Sequence, residues 1–170
     1  KNAVNHSLFI AKIRNMKALV IGATGATGKD LVTQLLSDPD FKEVDVFVRK
    51  PVPIQNPKLK THIVDFEKPD EWKDLVKGDV AFSCLGTTLK TAGSKEAQQK
   101  VDYDYQYNFA KSARENNVED YVLVSSYGAD SKSKIFYSKM KGDLEQSVKA
   151  LHFNKITIFQ PGMLERKETE

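Results

Sequence analysis

The sequence predicts an α/β fold in which a parallel β-sheet is covered by helices on both faces. Six short runs rich in β-forming residues recur along the chain, at 17–22, 44–48, 61–66, 79–84, 120–126 and 155–160. Several of these runs are continuously apolar, as expected for strands that are buried on both sides. Helical periodicity occupies several of the intervals between them. This alternation of two periods is typical of a doubly wound parallel sheet.

Three of the intervals carry apolar residues at the spacing of one helix face. These predicted stripes contain Leu31, Val32, Leu35 and Leu36 in the first helix, Val101, Tyr105, Phe109 and Ala113 in the second, and Met140, Leu144, Val148 and Leu151 in the third. The first helix is expected to end before the Asp38-Pro39 pair, because proline disfavours helical backbone in the residue before it.

Length and composition indicate one globular domain. The chain has 170 residues, of which 40% are hydrophobic, which is enough for one buried core. We assign residues 16–170 to this domain, because the first predicted strand follows directly after Met16. Residues 1–15 are interpreted as a leader or an expression remnant. Their apolar run, Leu8 to Ala11, is too short for a signal peptide or a membrane span.

Charge and cysteine content exclude several classes of function. The 26 basic and 23 acidic residues nearly cancel, so the net charge of +3 predicts neither a nucleic-acid partner nor a membrane partner. Cys84 is the only cysteine and cannot form an internal disulfide, which favours a cytoplasmic location. His6, His62 and His152 are scattered, and no metal site is predicted. We expect a monomer or a homodimer.

A glycine-rich turn, VIGATGATGKDLV at 20–32, lies between the first strand and the first helix. Gly22, Gly25 and Gly28 lack side chains where a pyrophosphate would approach backbone N–H groups at a helix N-terminus. The turn residues Thr24, Ala26 and Thr27 are predicted to share this contact. The spacing is GxxGxxG, and the alternative interpretation is a tightly packed turn with no ligand. The strand–turn–helix setting favours a dinucleotide.

The end of the second strand indicates which dinucleotide is bound. An acidic residue there would bind the ribose hydroxyls of NAD, whereas an arginine suits the 2′-phosphate of NADP. The sequence reads VFVRKP, with Arg49 and Lys50 at this place, and Asp45 lies too early in the strand to substitute. NADP(H) is therefore predicted. The alternative is a solvated basic strand end.

A tyrosine and a lysine four residues apart begin the last predicted helix. Tyr137 and Lys141 project from the same helix face, and a nearby ammonium is expected to lower the pKa of the phenol. Such a tyrosine transfers protons at a working pH. Ser125 and Ser126 end the fifth predicted strand, where a hydroxyl could hydrogen-bond a substrate carbonyl. The alternative is a solvated surface pair.

Three further stretches carry a specific resemblance: DVAFSCLGTT at 79–88, VSSYGAD at 124–130 and YSKMKGDLE at 137–145. Together with the glycine turn, they resemble the short-chain dehydrogenase/reductase superfamily, and most closely its Tat-interacting, oxidoreductase-like branch. The resemblance implies a Rossmann sheet in the order 3-2-1-4-5-6 and a catalytic role for Ser126. It also implies that Asp65 and Phe66 lie near the adenine.

The same resemblance implies a second group of cofactor-binding residues around the nicotinamide ribose: Cys84, Leu85, Gly86, Thr87, Thr88, Lys141 and Pro161. Members of the superfamily often have arginine before the Pro-Gly that follows the sixth strand, whereas this chain has Gln160. They also continue with segments that close the substrate side. The sequence therefore predicts a reduced substrate lobe or a truncated C-terminus.

Two classes of function are consistent with these residues. The first is an NADP(H)-dependent oxidoreductase that acts on a small carbonyl or alcohol substrate, with Tyr137 as general acid and base and with Ser126 and Lys141 beside it. The second is a non-catalytic NADP(H)-binding module that acts as a redox sensor or binds another protein.

Overall fold

Six strands form one parallel sheet in the computed structural model of the chain, which describes residues 15–162. They are β1 (Met16–Ile21), β2 (Phe41–Val48), β3 (Leu59–Ile63), β4 (Val80–Ser83), β5 (Asp120–Val124) and β6 (Lys155–Phe159). Their order is β3-β2-β1-β4-β5-β6, which confirms the predicted doubly wound Rossmann topology. The direction of winding reverses between β1 and β4, and ligands bind open α/β sheets at the carboxyl ends of strands beside such a reversal.

The helices are α1 (Ala26–Ser37), α2 (Leu89–Ala92), α3 (Lys95–Gln99), α4 (Tyr105–Glu115) and α5 (Phe136–Lys149). A π-helical turn, Lys100–Asp104, joins α3 to α4 without a break in the helical backbone. Two short 3-10 turns, Pro69–Glu71 and Lys73–Leu75, lie in the connection between β3 and β4.

The core has one layer on each face of the sheet. On one face, Leu19, Phe47 and Trp72 pack together with the buried sides of α4 and α5. On the other face, Val46 belongs to a cluster that includes Val32 of α1. The Trp72 indole also donates a hydrogen bond of 2.9 Å to the Asp65 carbonyl, which anchors the β3–β4 connection. Both faces are therefore covered, as the apolar strands predict.

All six predicted strands are present, but several boundaries are wrong. β2 begins at Phe41, before the predicted start at 44, because Phe41 and Glu43 pair with β1, with an irregularity of the register at Lys42. The runs predicted at 61–66 and 120–126 extend past the ends of β3 and β5. Their last residues leave the regular strands because they form loops at the carboxyl edge of the sheet.

The predicted helix stripes are correct except at the start of the second one and at Leu151, which lies in the turn after the end of α5 at Lys149. Phe109 and Ala113 are buried, but Asp102 and Gln106 are buried in place of Val101 and Tyr105. The π-helical turn is the physical reason, because its wider turn rotates the residues before α4 relative to a regular helix. A polar side chain thereby enters the interior at Asp102.

Apart from Asn15, the leader assigned to residues 1–15 lies outside the described residues. Residues 163–170 also lie outside them, so the predicted truncation of the C-terminus stays a prediction. Within 15–162, no helix combines the length and apolar character needed to cross a membrane.

Candidate cofactor-binding site

Two adjoining clefts open at the carboxyl ends of β1, β4 and β5, beside the reversal of the sheet. Their volumes are about 520 and 600 Å³. They share a wall formed by Gly25, Thr91 and the loop from Cys84 to Thr87. The two clefts therefore form one groove that crosses the sheet edge. We call the 520 Å³ part, which Tyr137 lines, the tyrosine cleft, and the 600 Å³ part, which Arg49 lines, the arginine cleft.

Most of the predicted site residues line this groove. They are Gly22, Thr24, Gly25, Ala26, Thr27, Arg49, Cys84, Leu85, Gly86, Thr87, Thr88, Ser126, Tyr137, Lys141 and Pro161. Four predicted cofactor-binding residues are not part of its lining: Gly28, Lys50, Asp65 and Phe66. The fold thus brings together segments that are far apart in the sequence.

The three glycines of the turn have different roles. Gly22 has a φ of +78°, and a Cβ on it would lie 2.4 Å from the Cys84 carbonyl carbon. A Cβ on Gly28 would lie 2.0 Å from the Gly22 carbonyl oxygen. These two glycines are required for packing. Only Gly25 faces open space, because its Cβ would meet nothing closer than 3.4 Å. Gly22 and Gly28 thus have a packing reason to be glycine, and Gly25 is the glycine of this turn beside which a phosphate has room.

The N-terminus of α1 provides donors for an anion. Gly25 caps the helix without a side-chain hydrogen bond, and the first turn contains no acidic residue. The N–H groups of a first helical turn have no partner within the helix, and the helix dipole adds positive potential there. Ala26 and Thr27 of this turn line the tyrosine cleft. This end of α1 can therefore hold a phosphate group.

Polar side chains surround the arginine cleft. Glu67 accepts hydrogen bonds from the Tyr105 hydroxyl and from the Lys100 ammonium, the latter at 3.1 Å. Burial, followed by the bond to Glu67, raises the pKa of Tyr105 to about 12. The Phe66 ring is buried and stacks on Tyr105 with 5.4 Å between ring centroids. Arg49 is exposed, lines this cleft and forms no salt bridge with any residue in the range 15–162.

The tyrosine cleft contains the predicted catalytic residues. Tyr137 is partly exposed at the start of α5, and Lys141 lies one turn later, with only 2% of its surface exposed. Ser125 and Ser126 both line the cleft. The Ser125 hydroxyl is buried and has no hydrogen-bond partner among the described residues. The Ser126 hydroxyl has a small lowering effect on the pKa of the Tyr137 phenol, which other groups raise more strongly.

The net direction of the Tyr137 pKa differs from the sequence-based prediction. Burial of the phenol and the negative charge of Asp102 raise this pKa, and the effect of Ser126 is smaller. Burial also lowers the pKa of Lys141, against the opposing effects of Asp102 and Glu145. The expectation that Lys141 would leave the phenol with a lowered pKa is therefore wrong, because desolvation in the cleft favours the neutral phenol.

Cys84 is expected to react slowly with alkylating reagents. Burial raises the pKa of its thiol to about 11, so about one thiol in a thousand is ionised near pH 8. Iodoacetamide should modify the folded protein about 100-fold more slowly than free cysteine. Mass spectrometry of timed samples measures this rate, and the denatured chain is the matched control. A folded chain that reacts as fast as the denatured chain would contradict a buried, neutral thiol.

Sequence reasoning missed several residues that line the groove. The most notable are Asp102, Thr91, Glu67, Lys100 and Tyr105. Lys100 and Asp102 belong to the π-helical turn and Tyr105 begins α4, so a prediction based on a regular helix misplaces them. Across the described range 15–162, no group of three or more His, Cys, Asp or Glu side chains is arranged to hold a metal ion.

Comparison with solved structures supports the fold. The Bordetella bronchiseptica enzyme WbmH, solved in complex with NAD⁺, has a TM-score of 0.72 at 13% identity, over 85% of this chain and 55% of its own. UDP-glucose 4-epimerase of Thermotoga maritima has a TM-score of 0.70 at 14% identity, with the same two coverages of 85% and 55%. At these identities the likeness concerns the fold alone.

Comparison with sequences shows the family. The NAD(P)H-binding family matches residues 22–170. Protein FMP52, mitochondrial, of Coccidioides immitis is 35% identical over 164 residues, which cover 89% of this chain and 67% of the relative. Protein HTATIP2 of Rattus norvegicus is 35% identical over 157 residues, which cover 90% of this chain and 64% of the relative. The chain thus spans about two thirds of the length of these relatives, and it belongs to the NAD(P)H-binding Rossmann family, in the branch that contains HTATIP2 and FMP52.

Proposed function

We propose that the protein is an NADP(H)-dependent oxidoreductase that acts on a small carbonyl or alcohol substrate. The observation that carries this proposal is the convergence of Ser126, Tyr137 and Lys141 in one cleft, directly beside the glycine turn. The bound nicotinamide would supply or accept the hydride. The protein would supply the proton and hold the substrate.

Each residue of the cleft has a distinct part in this chemistry. Ser126 donates a hydrogen bond to the substrate carbonyl and so stabilises the negative charge that develops on its oxygen. Tyr137 gives its phenolic proton to this oxygen in the reductive direction and recovers it in the oxidative direction. The ammonium of Lys141 stabilises the resulting phenolate and binds ribose hydroxyls. In the cofactor-free protein, the raised pKa of Tyr137 keeps the phenol protonated, as the start of reduction requires, but it also opposes the later loss of that proton.

Arg49 is proposed to select NADPH over NADH. NADPH should bind at least about tenfold more tightly than NADH, equivalent to about 1.4 kcal/mol. Arg49→Ala should remove this preference and leave NADH binding unchanged, because only the contact with the 2′-phosphate is lost. Calorimetric titration measures both affinities. Lys42→Ala removes one positive charge from an exposed position at the other end of β2 and is the matched control. Equal affinities of the wild type for both cofactors would contradict this role of Arg49.

A non-catalytic NADP(H)-binding sensor or protein-interaction module is the second candidate. The observation that favours it is the direction of the Tyr137 pKa, because burial and Asp102 oppose formation of a phenolate. A sensor needs only cofactor binding at the glycine turn. In that case Tyr137 would contribute to binding and not to proton transfer.

Oxidation of NADPH in the presence of quinones, aldehydes and ketones distinguishes the two candidates. The oxidoreductase predicts that at least one class of carbonyl accelerates the loss of NADPH absorbance above the rate in buffer. The sensor predicts binding by calorimetry without any such acceleration. The protein should be tested at its full native length, because the relatives extend beyond the part that this chain matches.

We further propose that the protein is cytoplasmic and is either a monomer or a homodimer. The FMP52 relative is named as a mitochondrial protein, so mitochondria are the competing location for this chain. Microscopy of the tagged full-length protein would distinguish the two compartments. Light scattering of the purified protein would distinguish a monomer from a homodimer.

A further inference from the structure

A carboxylate lies in the arginine cleft, where a phosphate group is proposed to bind. Glu67 follows the end of β3, and Arg49 follows the end of β2, which is the neighbouring strand of the sheet. Both residues line the cleft. A carboxylate repels a phosphate at close range, whereas it accepts hydrogen bonds from ribose hydroxyls. The cleft therefore contains one residue that favours a 2′-phosphate and one that opposes it.

Two donors converge on the Glu67 carboxylate. The Lys100 ammonium lies 3.1 Å from its Oε1 and 3.2 Å from its Oε2, and the Tyr105 hydroxyl donates to Oε1. These hydrogen bonds, first that of Tyr105 and then that of Lys100, hold the pKa of Glu67 below its usual value. The carboxylate is therefore ionised at neutral pH, and a cation inside the same cleft balances its charge.

The π-helical turn makes this convergence possible. Lys100 begins the turn and Tyr105 follows it, and the Tyr105 backbone N–H donates to the Lys100 carbonyl, five residues earlier. Residues five apart lie on one side of a π-helix, whereas a regular helix would turn them to different sides. Both residues consequently line the arginine cleft and reach the same carboxylate.

Arg49 lies close enough to these groups for its charge to act on them. Its positive charge lowers the pKa of Tyr105, against the larger effects of burial and of the Glu67 carboxylate. Lys100 forms a salt bridge with Glu67, whereas Arg49 forms none with any residue in the range 15–162. One of the two cations therefore balances the carboxylate, and the other leaves the cleft with a net positive charge.

We infer that Glu67 is a specificity-determining residue for the cofactor, and that Lys100 and Tyr105 compensate its charge so that the cleft accepts a 2′-phosphate. In this arrangement Arg49 attracts the phosphate, and the Lys100–Glu67 pair sets the strength of the preference for NADPH. The inference rests on the proposed function. It requires that Lys100 acts through Glu67 and not by direct contact with the phosphate.

Two small ligands isolate the phosphate contact. Adenosine 2′,5′-bisphosphate and adenosine 5′-monophosphate differ only in the 2′-phosphate, so the ratio of their affinities, measured by calorimetry, gives its contribution. Glu67→Gln should raise this ratio about fivefold because a repelling charge is removed, and Lys100→Met should lower it about fivefold. Lys100→Arg should retain it. Lys68→Met is the matched control, since Lys68 is exposed and is not part of the groove lining.

A double-mutant cycle separates charge compensation from direct contact. In the Glu67→Gln background, Lys100→Met should change the affinity ratio less than about twofold, because no carboxylate charge remains to be compensated. An equal loss in both backgrounds would place Lys100 on the phosphate itself and would overturn the inference. Circular dichroism and thermal unfolding of each variant show whether it is folded.

Titration of the Glu67 carboxyl by carbon NMR tests the same inference without NADPH, with the Glu67→Gln spectrum used to assign the signal. Lys100→Met and Tyr105→Phe should each raise the Glu67 pKa, because each removes a hydrogen bond to the carboxylate. In the wild type, bound adenosine 2′,5′-bisphosphate should also raise this pKa, and adenosine 5′-monophosphate should raise it much less, because only the first places a phosphate beside the carboxylate. A Glu67 pKa that saturating bisphosphate leaves unchanged would overturn the inference.

The failure of this inference is distinguishable from the failure of the proposed function. A wild type that binds neither nucleotide nor NADPH would contradict the proposed function. A wild type that binds both nucleotides, with an affinity ratio that Glu67→Gln leaves unaltered, would overturn the role of Glu67 alone.

Discussion

Tyr137→Phe is expected to reduce NADPH-dependent turnover by about 100-fold or more while changing NADPH affinity little. The substitution keeps the aromatic ring at the start of α5 but removes the only transferable proton of the side chain. Proton transfer to the substrate oxygen then depends on water, whereas cofactor contacts made by the ring remain. Turnover is measured by the loss of NADPH absorbance and affinity by calorimetry.

Tyr127→Phe is the matched control for this prediction. The Tyr127 side chain is largely exposed and is not part of the groove lining, so the same chemical change there should leave turnover unaltered. Lys141→Ala should reduce both turnover and affinity, because its ammonium is proposed to serve the phenol and the ribose. Normal turnover in Tyr137→Phe would contradict the proton-transfer role.

Gly25→Val is expected to abolish binding of NADPH and NADH while leaving the protein folded. Gly25 has a φ of −76°, which valine can adopt, and a Cβ there meets only the Gly22 carbonyl oxygen at 3.4 Å. The added methyl groups would instead occupy the space proposed for the pyrophosphate. Calorimetry measures the affinity, and circular dichroism measures the folded state.

Gly28→Ala provides the contrasting control for the same turn. Its Cβ would lie 2.0 Å from the Gly22 carbonyl oxygen, so this smaller substitution should lower the melting temperature. The two variants separate a position that faces the ligand from one that packs the turn. Unchanged cofactor affinity in Gly25→Val would show that this turn serves packing alone.

The sequence predicted the sheet and the location of the groove well, for a physical reason. Buried parallel strands require continuous apolar runs, and the carboxyl ends of such strands meet at one edge of the sheet. Gly25, Cys84, Ser126 and Tyr137 are remote in sequence but adjacent in the fold. Local patterns at the four segments were therefore sufficient to identify one site.

Local patterns were not sufficient where side chains depend on packing from other elements. The sequence does not reveal which glycine of the turn faces a ligand, because that depends on how the turn packs against its own carbonyls and Cys84. The π-helical turn interrupts the 3.6-residue period, so Asp102 was missed. The predicted change in the Tyr137 pKa had the wrong direction, because the spacing of residues along a helix contains no information on desolvation.

Hydrogen–deuterium exchange of the wild type, with and without NADPH, tests most directly whether the groove holds the cofactor. The account predicts that NADPH slows exchange in three segments, at 22–29, 84–88 and 137–141. It predicts no change around His62, where Lys17 and His62 contact the Asp45 carboxylate outside both clefts. Saturating NADPH that protects none of the three segments, or protects a different surface, would contradict the assignment of this groove as the NADP(H) site.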